Sequence, residues 1–381
     1  MRGLVMILMT VDHASDAFNH DRVFTDAAFA YHPGMVLPAA QYLTRWMTHL
    51  CAPTFVFLAG ASLALLVAGR LRRGQAGFRI DRQFLLRGLF ILALDPLWMS
   101  LAFFGWQRAI LQVLYAIGLS MICMAGLRRL PSWLLAGLAV VMLVGADLAM
   151  THFIGEAGGH RVAMPLPVGL MLTGGRYGAL VVAYPLCSWL AIMMLGFVFG
   201  RRVAAYGMPR PSLMALMGAG SLAVFAVLRG LNSVGNMALY RDDLSVLQWI
   251  HVAKYPPSVT YCALELGLML LFLAAFTWAD TTRAARLAER RVSASELRAG
   301  GEPHLMRLLE PLRVLGSTAM FFYLLHAHLL MAAASLLGLK EKLGLGAAYL
   351  SAGLCVLSLY YPCWLYGRYK RAHPNWFTRL V

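Results

Sequence analysis

Nine stretches of this 381-residue chain are long and apolar enough to cross a hydrocarbon layer roughly 30 Å thick, at about 46–69, 84–104, 109–127, 131–151, 178–200, 212–230, 257–279, 313–337 and 346–367. Few folds accept such a chain. Inside a bilayer every backbone N–H and C=O must be satisfied within the protein, and runs of this length do so as helices. With the opening run RGLVMILMTV, the reading is an all-α, polytopic membrane helix bundle of about ten transmembrane helices, forming one transmembrane domain over 1–381. The opening run is short, since residues 3–11 would rise only about 14 Å as a helix. Either residues upstream of Met1 complete it, the favoured expectation, or the first helix is buried among others and spans half the layer.

Composition agrees, with 60% hydrophobic and 13% charged residues. A net charge of +16 raises nucleic acid as a partner. The basic residues, however, sit in short loops between apolar runs, where membrane topology accounts for them, and nucleic acid is set aside. Arg70 to Arg82, Arg128 and Arg129, Arg201 to Arg210, Arg283 to Arg307 and Arg368 to Arg379 fall on one side. Both termini are thus expected in the cytoplasm, with loops 14–45, 153–177 and 231–256 facing outward. Residues 280–312 form the one long cytoplasmic connection, and RAARLAERRVSASELRAGG within it reads as a helix ended by Gly-Gly. The six cysteines lie in or beside apolar runs with no pair closer than eight residues, so neither a disulfide framework nor a metal site is expected.

Ionisable groups inside apolar spans are costly and usually face a cavity or a partner. They are Asp12, His13, Arg87, Asp95, Asp147, Arg229, Glu265, His326 and His328. Arg2 and His13 are eleven residues apart, about three turns plus 20°, which puts them on one helix face roughly 16 Å apart. Asp16, one turn beyond His13, is placed to orient the ring. In STAMFFYLLHAHLL, His326 and His328 point to nearly opposite faces, so His326, with Tyr323 one turn earlier, is the one expected to face inward. In HVAKYPPSVTY, Pro256 and Pro257 mark a helix start, and Lys254, Ser258 and the free backbone N–H groups there form an expected anion site. Glu265, deeper in that helix, needs a cation or a proton. Arg45 and His49 sit at an outer interface, and Gln112 is read as lying inside a span.

At RGLVMILMTVDH, THLCAPTFVFLAGAS, AILQVLYAIG and KYPPSVTY the chain resembles the bacterial relatives of heparan-α-glucosaminide N-acetyltransferase, within a wider superfamily of transmembrane acyltransferases. The spacing of Arg2 and His13 matches that superfamily, in which the histidine is held to be catalytic. The resemblance implies an acyltransferase of the bacterial inner membrane that moves an acetyl group from cytoplasmic acetyl-CoA to an amine or hydroxyl of a glycan outside. It assigns His13, as base or acyl carrier, with Asp16 and His326 to catalysis. Arg2, Arg87 and Gln112 fall to the donor, and Lys254, Ser258, Arg45 and His49 to the acceptor. A homodimer is compatible with this. One departure bears on His13. The animal lysosomal enzyme has asparagine at the matching position and its histidine further along the next luminal loop, where this chain has His20 and His32.

A different class, a proton-coupled permease, would use Glu265, Asp95, His326 and His328 as a relay. Against it, no inverted repeat and no matching pair of Gly/Pro-broken spans is visible.

Overall fold

The computed structural model describes residues 1–156, 164–289 and 304–373. Its helices run α1 Arg2–Phe18, α2 Ala39–His49, α3 Cys51–Arg72, α4 Gly77–Leu94, α5 Ser100–Phe104, α6 Val113–Leu127, α7 Ser132–Glu156, α8 Leu166–Val168, α9 Leu186–Tyr206, α10 Pro211–Leu231, α11 Val246–Ile250, α12 Val259–Glu289, α13 His304–Ser317, α14 Ala319–Leu336 and α15 Leu345–Ala372. Among the described residues eight helical stretches are long and apolar enough to cross a membrane, and they coincide with eight of the nine runs. The all-α polytopic architecture is thus as the sequence indicates. The Gly-Gly break expected at 300–301 lies outside the described residues.

Two runs begin differently from the reading. Residues 109–111 are a strand, β1, so α6 starts only at Val113 and is a short apolar helix. Residues 178–185 precede α9 rather than belong to it. Here β2, Gly175–Tyr177, turns back through Gly178 at φ 60° into β3, Leu180–Val182. β3 pairs parallel with β1 and antiparallel with β2, setting Ile110 opposite Val181 and Leu111 opposite Val182. β-Branched side chains favour this pairing, and Gly174 and Gly178, both in the left-handed region, stop any helix from running through. Average apolarity does not register either effect.

α1 outlasts its apolar run. It holds 17 residues, about 25 Å at the helical rise. Ala14, Ser15, Ala17 and Phe18 continue the buried stripe, while Asp12, His13 and Asp16 lie only partly buried.

The chain divides into two compact units. One comprises residues 1–19, 209–220 and 267–381. In it α1 packs on α13, α14 and α15. The approach is close because Gly3 has no side chain: a Cβ there would collide with the Leu312 carbonyl. The far end of α1 is pinned by Glu341 N–H to Ala17 O at 3.0 Å and Leu343 N–H to Phe18 O at 2.8 Å.

The other unit comprises residues 20–208 and 221–266. Its central pair is α3 on α9, again glycine-mediated. A Cβ at Gly60 would strike the Met193 carbonyl, one at Gly196 the Phe57 carbonyl, and one at Gly200 the Ala61 backbone. Small residues at such crossings let dispersion act over the whole backbone surface, the main attraction left between helices once both are in lipid. α4 and α6 meet the same way through Gly88 and Gly118. Gly196→Val should therefore lower the stability of the folded protein by about 1–3 kcal/mol, the usual cost of overpacking. The check is the thermal unfolding midpoint of the purified protein, with Gly220→Val, where a Cβ meets nothing within 4 Å, as the matched control.

Candidate functional site

In the first unit, α1 and α14 bring His13 and His326 together. His13 Nδ1 and His326 Nε2 are 2.7 Å apart, with the rings nearly coplanar at 10° and their centroids 4.9 Å apart. His326 is fully buried, and its Nδ1 lies 3.1 Å from the Phe322 carbonyl oxygen. These partners dictate the tautomers. A carbonyl only accepts, so His326 Nδ1 carries the hydrogen, and the Nε2 of the neutral ring must accept from His13 Nδ1–H. The neutral His13 ring then keeps its lone pair on Nε2. Phe322 lies parallel to His326 at 5.3 Å, and Tyr323 flanks it at 5.6 Å. The inward position expected for His326 is the observed one. His328 Nδ1 instead meets the Leu324 carbonyl at 2.9 Å. Asp16 is one turn beyond His13, and Arg2 opens the same helix.

The second unit holds another histidine, on a carboxylate. Arg45 and His49 are one turn apart on α2 and so share a face. Both reach Oδ2 of Asp26, which is buried in the 20–38 connection: Arg45 Nε at 3.1 Å and Nη2 at 3.0 Å, His49 Nε2 at 3.0 Å. Arg45 also donates to the Tyr255 hydroxyl at 3.1 Å. The Asp26 carbonyl accepts from Lys254 N–H at 2.8 Å, and the Lys254 ammonium lies 5.2 Å from the Tyr255 ring centre. Burial alone would raise the Asp26 carboxyl. The Arg45 charge, the His49 hydrogen bond and the Lys254 charge outweigh it and hold the group below the ordinary carboxylate range. Since Asp26 accepts from Nε2, neutral His49 has its lone pair on Nδ1, a buried atom without a hydrogen-bond partner. Asp26 Oδ1, Glu265 Oε1 and Trp189 Nε1 are likewise buried and without partners. Tyr184 stacks on Trp189 at 4.6 Å and meets Tyr255 edge-on.

A frame of backbone bonds holds this cluster. Arg229 is completely buried and donates to the carbonyls of Leu239, Gln248, Trp249 and His251 and to Asn236 Oδ1, at 2.6–3.2 Å. His251 Nε2–H in turn donates to the Thr25 carbonyl at 2.8 Å, next to Asp26. Burial pushes the His251 imidazole down to about 4, against the Thr25 bond, which raises it.

Several sequence expectations change. The start of α12 is not an open anion site. Val259 N–H donates to Asp147 Oδ2 at 3.0 Å, Thr260 N–H to the Gly235 carbonyl at 2.9 Å, and Tyr261 N–H to Ser258 Oγ at 3.0 Å. The donors that would hold an anion are filled from within, and Ser258 is a helix cap. Gln112 precedes α6 instead of lying inside it, because β1 occupies 109–111. Its N–H and that of Tyr115 each donate to Asp95 Oδ2 at 2.7 Å. Asp95, a relay candidate, is therefore a capping carboxylate. Arg87 lies within α4. Asp26 was not singled out by sequence. The signal was present: in FTDAAFA a lone acid interrupts small and apolar residues where a solvated loop would carry more polar ones.

Membrane-length helices that keep histidines, a carboxylate and guanidiniums inside define a multi-pass membrane protein with an internal polar apparatus. Residues 1–234 match the model of the heparan-alpha-glucosaminide N-acetyltransferase catalytic family, and the chain belongs to that family. It is a membrane transferase of acyl groups. The matched stretch includes His13, Asp26, Arg45 and His49 and ends before Lys254 and His326. No curated protein matches the sequence.

Two predictions follow from the cluster. Asp26→Asn leaves Arg45 buried without its counter-charge and should cost about 3–5 kcal/mol, seen as a lowered unfolding midpoint. His251 sets a pH dependence. Its folded value lies below the ordinary 6.5, so the unfolded chain binds more protons between the two values and stability falls as pH falls. The contribution is complete above pH ~6.5 and is lost towards pH ~4, by up to ~3 kcal/mol. His251→Gln should flatten that part of a stability-against-pH curve.

Proposed function

We propose that this acyltransferase moves an acetyl group from acetyl-CoA to an amine or hydroxyl of a sugar or glycan, with His13 as the base. The observation that carries the reading is the 2.7 Å contact between His13 Nδ1 and His326 Nε2. It supports a neutral His13 whose Nε2 lone pair is fixed in direction. The acceptor N–H or O–H gives its proton to Nε2 while its heteroatom bonds to the acetyl carbonyl carbon. The tetrahedral intermediate then breaks its C–S bond, and the CoA thiolate takes the proton back from the imidazolium. His326 steadies that imidazolium through the shared Nδ1–H and is itself anchored on the Phe322 carbonyl. Asp16 adds negative charge on the same helix.

The sidedness of the basic loops supports donor entry from the cytoplasm, acceptor on the outside and residence in a bacterial inner membrane. Arg2 is assigned to the donor phosphates. In the second unit, the unpartnered His49 Nδ1, the Lys254 ammonium and the Tyr184, Trp189 and Tyr255 rings support Arg45, His49 and Lys254 as a sugar-binding cluster within that unit, since sugars combine hydrogen bonds with ring stacking.

The test is CoA release from acetyl-CoA by purified protein with glucosamine as acceptor. His13→Ala should reduce the rate by about 10²–10⁴ with the fold intact, the usual worth of a positioned base. His326→Ala should reduce it less, and His326→Gln should restore part of that loss, because the Gln carbonyl can accept from His13 Nδ1–H. A folded His13→Ala protein working at the wild-type rate removes His13 from the chemistry.

A further inference from the structure

A cavity of about 320 Å³ opens within the first unit between α13 and α15. Its walls carry Arg313 and Ser317 from α13 and Trp364 and Arg371 from α15, with Gly367 on the floor. Glu310 is the one acid in the lining. That volume lies at the lower end of the range of small-molecule sites, about 300–1,000 Å³.

The sequence builds this opening deliberately. Pro311 lies inside α13 and Pro362 inside α15, each next to the cavity, and each removes an N–H from its helix's hydrogen-bond ladder. At position 367 a Cβ would stand in van der Waals contact with Thr318 Cγ2 at 3.4 Å and 3.8 Å from the Arg371 Nη1, so a larger side chain there would press on the Arg371 guanidinium at the cavity wall. The two guanidiniums come from different helices and enter the same space. Among the described residues neither makes an ion pair with Glu310 or any other acid. Arg368, stacked on Trp364 at 4.8 Å, and Lys370 add charge on α15.

A simpler account exists for part of this. Basic residues in the last turn of a helix complement its negative end and also mark the cytoplasmic side. That explains Lys370 and Arg371 on α15. It does not explain why Arg313 lines the same cavity from α13. α1 adds to the same region, since Gly3 packs on Leu312 and the Arg2 Cβ lies 3.5 Å from where a Cβ of Gly316 would stand, one turn along α13 from Arg313.

We propose that this cavity is a phosphate-binding site, with Arg313 and Arg371 clasping a phosphoryl group from two sides. Guanidinium pairs suit phosphate oxygens because each presents a planar fork of donors. The phosphate belongs to a soluble nucleotide such as the head of the acyl donor, or to an anionic phospholipid. The site rests on cavity and charge and does not require His13 chemistry, so binding measurements separate it from the acyl-transfer reading.

The test uses full-length protein in two arms. In the first, detergent-purified protein is titrated calorimetrically with adenosine 3′,5′-bisphosphate. In the second, protein from vesicles of phosphatidylcholine and phosphatidylglycerol is extracted and its retained phosphatidylglycerol measured. Arg313→Gln and Arg371→Gln should each weaken binding in one arm by about tenfold or more, as expected for loss of a charge-assisted bond. Gly367→Leu, which fills the cavity and leaves both charges, should abolish it. Loss in the first arm identifies a nucleotide phosphate, and loss in the second a lipid headgroup. Wild-type protein that binds neither probe overturns the proposal, as does binding that the three variants leave unchanged while their unfolding midpoints match the wild type. His13→Ala should bind like the wild type in both arms.

Discussion

A single carboxylate oxygen, Asp26 Oδ2, receives Arg45 through two nitrogens and His49 through a third. An ion taken out of water costs several kcal/mol unless its partners replace the lost hydration, and an interior this apolar has little else to offer. That constraint shapes most of the second unit. The 20–38 connection is held down where its acid meets α2. The stretch before α12 then docks on the same residue through Lys254 and Tyr255 N–H. Arg229 does the reverse job on the 232–251 segment, gathering carbonyls that would otherwise be buried without donors.

The same rule separates structural ions from chemical ones. Asp95 and Asp147 sit in apolar spans, where charge invites a functional reading. Both carboxylates turn out to cap backbone N–H groups: Asp95 at the start of α6, Asp147 at Val259 and Met237. Their oxygens accept from backbone N–H groups that no helical carbonyl reaches, which gives both acids a structural partner inside the protein. His13 and His326 differ in kind. Both nitrogens of His326 are committed, Nδ1 to the Phe322 carbonyl and Nε2 to His13 Nδ1, so hydrogen-bond donation runs from His13 through His326 to that carbonyl. A chain of this sort fixes a tautomer without neutralising a charge.

The helices were legible because a hydrocarbon-length apolar run has one economical conformation, and eight of nine runs show it. What failed was local. β1 and β3 are three residues each, too short to alter a twenty-residue average, and they form only because residues 109–111 and 180–182 are brought side by side from distant parts of the chain. α1 runs past its apolar stretch because alanine and serine carry its buried stripe beyond Asp12 to Phe18. The facing of His326 was readable from helical period alone. Asp26 is marked in the sequence only as a lone acid among small and apolar residues in FTDAAFA, and its partners Arg45 and His49 lie too far along the chain for local pattern to name them.

Glycine placement is the feature that links the two units' architectures to their polar interiors. At Gly3, Gly60, Gly88, Gly118 and Gly196 a Cβ would collide with backbone of the opposing helix, so these helices touch main chain to main chain. Helices that close leave no room for water, and every polar group between them must find its partner in the protein. Gly367 is the contrasting case, a glycine that faces side chains and lines a cavity. The glycines at the helix crossings exclude solvent, whereas Gly367 lies in the wall of a ligand-sized cavity beside two arginines. The same residue type serves opposite ends because what matters is the neighbour facing it, a carbonyl in one setting and a guanidinium in the other.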